Sequence, residues 1–274
     1  MISLMLYAIV QIIIEMVPVS SSGHVLVMQH FLAWNGWQAL PMPEWYDHFL
    51  HGPTLVILMI YFSKDWLGVC TYLVRGAVRK TASWWRMARV VGRVVMYVCL
   101  ADGVTACMYL TFKKWLDGVG VSLSPWAVIA GMAVTMVLLL STLLLNNDAP
   151  KKISRGKALM LGFVQGCAFF PGVSRFGSTY VIARWLGIGH RRAFQFSFAM
   201  FVPFIIVAFA GHGVPGMLHN WDIVAAVLVP CLCATVLAYT TFDGVERLAA
   251  CGKWYYLGLY MLLPLLLMMG MVLR

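Results

Sequence analysis

Two short polar stretches in this sequence hold residue types that could do chemistry together. The first places Gln11 and Glu15 four apart and then runs Pro18-Val19-Ser20-Ser21-Ser22-Gly23-His24. On a helix, Gln11 and Glu15 share one face. An ionisable Glu within an apolar run is expensive to bury and calls for a partner, unless it snorkels to an interface. Hydroxyls beside an imidazole are the components of an activated nucleophile, although the same serines could cap a helix that begins near Gly23. The second stretch runs Pro171-Gly172-Val173-Ser174-Arg175-Phe176-Gly177-Ser178-Thr179. A Gly- and Ser-rich turn that opens a helix directs backbone N–H groups toward an anion. Arg175 adds a planar fork that fits phosphate bidentately, and Ser174, Ser178 and Thr179 add hydroxyls. A purely structural alternative pairs Arg175 with Glu15. Together the two stretches supply an acid, hydroxyls, an imidazole and a phosphate clamp, which suits phosphoryl transfer, a reaction governed by positioning and charge neutralisation.

The elements that position these residues must lie in a membrane. The chain has 274 residues, 62% of them hydrophobic and 11% charged, whereas soluble domains are about 45–50% apolar and about 25% charged. A soluble chain of this length could not hide so much apolar surface. Crossing a hydrocarbon core of about 30 Å takes about 20 apolar residues per helix. Six runs are candidates, at roughly 48–63, 91–112, 123–145, 193–211, 221–241 and 254–273, the first short and the others adequate; residues 66–74 are apolar but too short to cross. Residues 3–34 and 158–186 differ: each has two apolar arms broken by one of the polar stretches. Irregular backbone is tolerated at membrane depth only inside protein or beside a wet cavity. Both regions therefore read as re-entrant helical hairpins with their tips near the midplane. The fold expected is an all-α polytopic membrane protein, with about six full spans plus two re-entrant hairpins in one transmembrane domain over residues 1–274.

The net charge of +10 does not point to nucleic acid. The cations cluster between apolar runs: Arg75, Arg79, Lys80, Arg86, Arg89 and Arg93, then Lys151, Lys152, Arg155 and Lys157. This is the distribution of cytoplasmic loops in membrane proteins, and anionic head groups attract such segments. Setting those loops inside leaves 35–47 and 212–220, which lack Lys and Arg, outside; a loop with Arg247 and Lys253 falls inside, and Lys113-Lys114 is the one multi-basic stretch that does not. The seven cysteines form no CxxC pair and no zinc spacing, so structural disulfides and zinc are not expected. The first 17 residues lack the basic start and cleavage site of a signal peptide and read as part of the mature protein.

The two hairpins look like copies. Gln11, Val19, Ser20 and Gly23 align in fixed register with Gln165, Val173, Ser174 and Gly177. With one hairpin entering from outside and the other from inside, the pattern is an inverted-topology repeat with its site at the repeat interface. The halves are expected at about 1–112 and 123–274.

At these residues the sequence resembles the undecaprenyl-diphosphatase family of the bacitracin-resistance type. The family's (E/Q)xxxE followed by PVSSxGH is matched by Gln11 to Glu15 and Pro18 to His24, and its PGxSRSxxT by Pro171 to Thr179. Asp47-His48-Phe49-Leu50-His51-Gly52-Pro53-Thr54 looks like its FDxxLHLGT-type segment. Gln195-Phe196-Ser197-Phe198 followed by Pro203 looks like its EFSFxxxxP segment. The resemblance implies an enzyme of the bacterial inner membrane that removes the terminal phosphate of undecaprenyl diphosphate, recycling the lipid carrier for cell-wall synthesis. It also implies paired re-entrant helices and a site open to the periplasm. Carried over by position, Ser21 is the nucleophile or nucleophile-positioning hydroxyl and His24 its acid–base partner. Gln11 and Glu15 handle a metal or a proton, and Arg175 clamps the diphosphate. Ser20, Ser22, His51, Gly172, Ser174, Ser178 and Thr179 complete the expected substrate contacts. A divalent cation, Mg²⁺ or Ca²⁺, is expected at Glu15 and Gln11, with one carboxylate where many members have two. Further departures are Phe176 in place of Ser, Gln195 in place of Glu, and Gly52-Pro53 in place of Leu-Gly. Phe176 would narrow the head-group pocket.

Three functions compete on these residues. A phosphatase uses the full set against a lipid-borne diphosphate. A flippase for an anionic lipid would use the broken helices and Arg175 but needs no nucleophile. A lipid-binding relative without activity would follow if Phe176 and Gln195 disabled the site. The expected partner is a polyprenyl diphosphate lipid, not nucleic acid; a homodimer is left open.

Overall fold

The computed structural model describes residues 2–37, 43–78, 82–119, 124–145 and 152–273, and nearly all of them are helical. The first hairpin is α1 (Ile2–Glu15) and α2 (Ser21–Trp34); the second is α7 (Arg155–Cys167) and α8 (Arg175–Trp185). At 1.5 Å per residue, 14 residues extend about 21 Å, short of the ~30 Å hydrocarbon core. Each arm thus stops inside the membrane. Both breaks have the same cause. Pro18 and Pro171 disfavour helix at the residue before them, so α1 and α7 end ahead of them. A serine then restarts the chain as N-cap: Ser20 at φ −76°, ψ 109° accepts from the Gly23 amide, and Ser174 at φ −76°, ψ 117° accepts from the Gly177 amide. The register read from sequence is repeated down to the individual cap.

Around the hairpins stand the remaining helices. These are α3 (Glu44–Tyr61), α4 (Ser63–Val78), α5 (Ala82–Val119), α6 (Pro125–Ser141), α9 (His190–Ala208), α10 (Val214–His219), α11 (Trp221–Ala250), α12 (Tyr255–Tyr260) and α13 (Leu262–Val272). A π-helical turn, Phe209–Gly213, joins α9 to α10 into one apolar rod over 190–219. Among the described residues five helical stretches are long and apolar enough to cross a membrane. The pair α3 and α4, bent by 56° at the break, makes a sixth if the two are counted as one broken span. The six expected spans are these, with different ends. Residues 66–74 form no free segment but belong to α4. The expected span 91–112 lies within the 38-residue α5, because the long side chains of Arg86, Arg89 and Arg93 can reach water from a continuing helix. Arg247 is not in a loop: it sits in the last turn of α11, paired with Asp243 at 2.7 Å. Residues 79, 80, 123 and 151 lie outside the described part of the chain.

The hairpins meet tip to tip in the middle of this ring. A Cβ on Gly177 would stand 2.4 Å from the Pro18 carbonyl oxygen, so the second tip touches the backbone of the first. The second tip is also sealed onto α6. A Cβ on Gly131 would meet the Pro171 carbonyl oxygen at 2.0 Å, and Gly172, at φ +88°, lies against Val128. Thr135 fastens the contact: its hydroxyl donates to the Gly172 carbonyl (3.1 Å) and accepts from the Ser174 amide (2.9 Å). Helix α1 packs on α11 as α7 packs on α5, and α2 on α13 as α8 on α6.

Candidate active site

The tips enclose a cavity of about 400 Å³. Hairpin one contributes Gln11 and Glu15 from the last turn and a half of α1, and Ser20, Ser21 and Ser22 from the start of α2; hairpin two contributes Ser174 and Arg175. His51 and Asp47 enter from α3. Most of the residues singled out by their spacing therefore converge on one chamber.

Arg175 is the most telling of them. Its guanidinium carbon lies 4.0 Å from the centroid of the Phe204 ring and 5.2 Å from that of Phe169. Glu15 and Asp47 act on it electrostatically, yet it makes no ion pair among the described residues, and its Nη1 is buried without a hydrogen-bond partner. The structural alternative, a pairing with Glu15, is not what holds this arginine. Cation–π contacts contribute about 2 kcal/mol when desolvated. Leaving a buried charge without a counter-charge costs more, about 3–5 kcal/mol. The two rings therefore orient the fork without neutralising it. The remaining charge faces the chamber.

Glu15 is held elsewhere. Its Oε2 accepts from the Thr54 hydroxyl at 2.6 Å, and its Oε1 touches His51 Nδ1 at 2.6 Å. The imidazole is turned off the ideal hydrogen-bond direction, so His51 Nδ1 makes a charge contact rather than an aligned hydrogen bond. Gln11 is buried, and its carbonyl Oε1 has no partner among the described residues. Its repeat mate Gln165 instead donates to the Met200 carbonyl at 3.2 Å. The repeat thus uses one glutamine for structure and leaves the other facing the chamber.

The three serines separate. Ser20 is the N-cap, and its hydroxyl also lies 3.2 Å from that of Ser22. Ser21 lines the chamber beside them. Ser20→Ala should cost about 1 kcal/mol through the lost cap, lowering the thermal midpoint with only a partial loss of any activity. Equal stability of the variant and the wild type would rule out the capping role.

His24 is not brought to the chamber wall. Its Nδ1 lies 2.6 Å from the Ser20 carbonyl oxygen and its Nε2 3.1 Å from the Tyr260 hydroxyl, with the two rings stacked at an 8° interplanar angle. A carbonyl can only accept, so Nδ1 donates there, and a neutral ring accepts from Tyr260 at Nε2. Gly172 acts through its positive φ. Ser178 and Thr179 bond back to the Arg175 carbonyl at 3.1 and 2.9 Å and so fix the first turn of α8. None of these three lines the chamber.

Phe176 is buried against Phe198, ring centroids 4.0 Å apart, while part of it reaches the chamber wall. Gln195 is remote: it donates to Asp65 at 3.2 Å, tying α9 to α4. Its exchange for Glu does not touch the site. Sequence reasoning missed Tyr7, Asp47 and Thr54 as site residues. Tyr7 was within reach, four residues before Gln11 on the same helical face, and it donates to Asp47 at 3.2 Å. Asp47 and Thr54 stood in a recognised segment without an assigned task. Nothing marked Phe169 and Phe204 among the 15 phenylalanines.

A family model described as Bacitracin resistance protein BacA matches residues 4–266. The undecaprenyl-diphosphatase of Treponema denticola is 27% identical over 263 residues, covering 93% of this chain and 91% of that protein. That of Desulfosudis oleivorans is 30% identical over 275 residues, covering 92% and 91%. That of Rubrobacter xylanophilus is 32% identical over 207 residues, covering 74% and 71%. With the two hairpin tips, their serine caps and the arginine fork all inside the matched region, this chain belongs to the bacitracin resistance protein BacA family.

Proposed function

We propose that this chain is a membrane phosphatase that hydrolyses undecaprenyl diphosphate to undecaprenyl phosphate and inorganic phosphate. The observation that supports it most is the unneutralised, aromatic-held guanidinium of Arg175 facing the same chamber as Ser21. A dianionic head group supplies the counter-charge that the protein withholds, and a lipid tail brings that head group to the bilayer. The relatives named undecaprenyl-diphosphatase supply the substrate.

In this reading Arg175 binds the terminal phosphoryl oxygens through its fork. Ser21 Oγ attacks the terminal phosphorus, forming one P–O bond as the bridging P–O bond breaks. Undecaprenyl phosphate departs with the electron pair, and water then cleaves the phosphoserine. Glu15, facing the chamber with the His51 imidazole in contact with its carboxylate, takes the serine proton and returns it. His24 is a positioning residue, because it holds the Ser20 carbonyl and with it the turn that presents Ser21. Ser20, Ser22 and Ser174 line the head-group pocket. Gln11 Oε1, buried without a partner, and the Glu15 carboxylate form an oxygen donor set that suits a hard divalent cation such as Mg²⁺ or Ca²⁺. When bound, such an ion would offset phosphate charge.

The chamber is lined by the length of hairpin one, with Tyr7 and Gln29 on its far halves, but only by the tip of hairpin two. It therefore opens on the side from which hairpin one enters. With the basic segments inside, that side is the periplasm of a bacterial inner membrane. We also propose that the repeat boundary falls between α6 and α7, not near 112–123. An inverted copy needs an odd number of full crossings. The segments α3/α4, α5 and α6 give three, as do α9/α10, α11 and α12/α13, and the helix pairings described above match in that register.

The test is phosphate release from undecaprenyl diphosphate by purified protein in detergent. Ser21→Ala is expected to lower turnover by about 10³-fold or more. An unchanged rate would remove the serine mechanism, and survival of lipid flipping without any phosphate release in the wild type would favour a transporter. His24→Asn is expected to keep most of the turnover that His24→Ala loses, because the Asn amide can still donate to the Ser20 carbonyl. Equal loss in both variants would return His24 to the acid–base role.

A further inference from the structure

A second set of ligating groups lies on the outer wall of the chamber, on the side of α3 that the proposed hydrolysis uses least. Asp47, His48 and His51 each offer a ligand atom, and those atoms lie within 4.8 Å of one another. Asp47 and His51 face the chamber. His48 points toward His212, their ring centroids 5.1 Å apart, with the His48 and His51 centroids 6.1 Å apart. His212 belongs to the π-helical turn, and such turns recur at functional sites because the wider coil re-aims a side chain.

The packing that brings the two imidazoles together is specific. Gly213 lies on the backbone of His48, where a Cβ would stand 2.9 Å from the His48 carbonyl oxygen. A Cβ on Gly52 would stand 2.7 Å from the Phe209 ring, and the Trp45 side chain likewise leaves no room for one on Gly216. Three glycines thus seat the turn and the start of α10 directly on α3. The partners of the ligating groups are those a metal site needs. His48 Nδ1 is buried with no hydrogen-bond partner among the described residues. His51 gives its Nδ1 side to the Glu15 carboxylate and leaves Nε2 for another ligand. A carboxylate behind an imidazole is the usual outer support of a metal-bound histidine. Asp47 has one oxygen on Tyr7 and a second oxygen to offer.

We infer that Asp47, His48, His51 and His212 form a site for a borderline divalent transition cation of the Zn²⁺ or Co²⁺ class, distinct from the oxygen donors Gln11 and Glu15. Three imidazoles and one carboxylate suit such ions, whereas Mg²⁺ and Ca²⁺ select oxygen-rich sets. With metal–nitrogen distances of about 2.0–2.1 Å, tetrahedral ligand atoms stand roughly 3.4 Å apart. The present spacing closes to that by rotation of side chains, and the exposed His212 ring has room to turn. A bound ion would tie α3 to the π-helical turn on the side we place in the periplasm.

The test reads metal binding and not phosphate release, so its outcome is independent of the hydrolysis proposed above. The full chain, purified in detergent with Mg²⁺ in excess, is titrated with Co²⁺. One equivalent is expected to bind, with visible ligand-field bands of a nitrogen-rich, low-coordinate ion, and Zn²⁺ should displace it. His48→Ala and His212→Ala should each weaken Co²⁺ binding at least tenfold. His212→Cys should retain binding and add a thiolate-to-cobalt charge-transfer band, which only direct ligation produces. A wild type that takes up no Co²⁺ beside Mg²⁺ overturns the site. So does binding unchanged in His48→Ala and His212→Ala, or a His212→Cys variant that binds without the new band.

Discussion

Arg175→Lys is expected to lower kcat/KM for phosphate release by about 10²–10³-fold, the loss seen when one preorganised donor to a developing oxyanion is removed. The charge is kept, so charge alone is not what is tested. The guanidinium lies over two ring faces, those of Phe204 and Phe169, in a residue that lines the chamber. A planar fork can stack and bind two phosphoryl oxygens at once. An ammonium is a compact, strongly hydrated point charge that can do neither. Because no carboxylate pairs with Arg175, the variant leaves no buried partner orphaned, and its thermal unfolding should stay close to that of the wild type. Steady-state kinetics in detergent, with a melting curve on the same preparation, decide it. Turnover within fivefold of wild type would mean that the fork geometry is not used.

Gly177→Ala is expected to cost about 10²-fold in activity although no reacting group is changed. The new methyl would stand 2.4 Å from the Pro18 carbonyl oxygen, and neither side of that contact is a flexible side chain. The tips must separate by roughly an ångström to restore van der Waals distance. That motion moves Arg175, two residues away on the first turn of α8, relative to Ser21 on the other tip. Misplacement of a catalytic group by about 1 Å is worth about 10²-fold. The matched control is Gly244→Ala on α11, where the added carbon meets nothing within 4 Å, and which should leave kinetics unchanged. If both variants behave alike, the tip-to-tip contact does not set the site geometry.

These two residues also show how far the sequence could be read. Arg175 was visible as a lone cation in a broken apolar run, and its identity alone announced an anion. Its freedom from Glu15 was not visible, because the Phe204 ring comes from α9 and the Thr54 and His51 contacts to Glu15 come from α3, with only Phe169 supplied by its own tip. Ser20 and Ser21 looked alike in sequence. They differ only because the restart of α2 places one at the cap and its neighbour on the chamber wall. His24 looked like the imidazole of the nucleophile. The helix turn that follows Ser20 carries its Nε2 to the Tyr260 hydroxyl of α12, and His51, 27 residues beyond it in sequence, lines the chamber.

The sequence by itself determined the solvent, the class of fold and the two polar tips. Hydrophobic run length, proline breaks and serine caps are local properties that do not depend on distant contacts. It also determined that the tips are copies, since the same cap recurs in the same register. Tertiary structure decided how each of these side chains is partnered: Gln11 Oε1 is left open while Gln165 is bonded, and Arg175 is held by rings instead of being paired. It also decided that Asp47, His48 and His212 come together at all. Those assignments depend on the relative placement of helices, fixed by glycine contacts such as Gly177 on Pro18 and Gly213 on His48. Close approach of two backbones is a property of the pair and is written in neither segment alone.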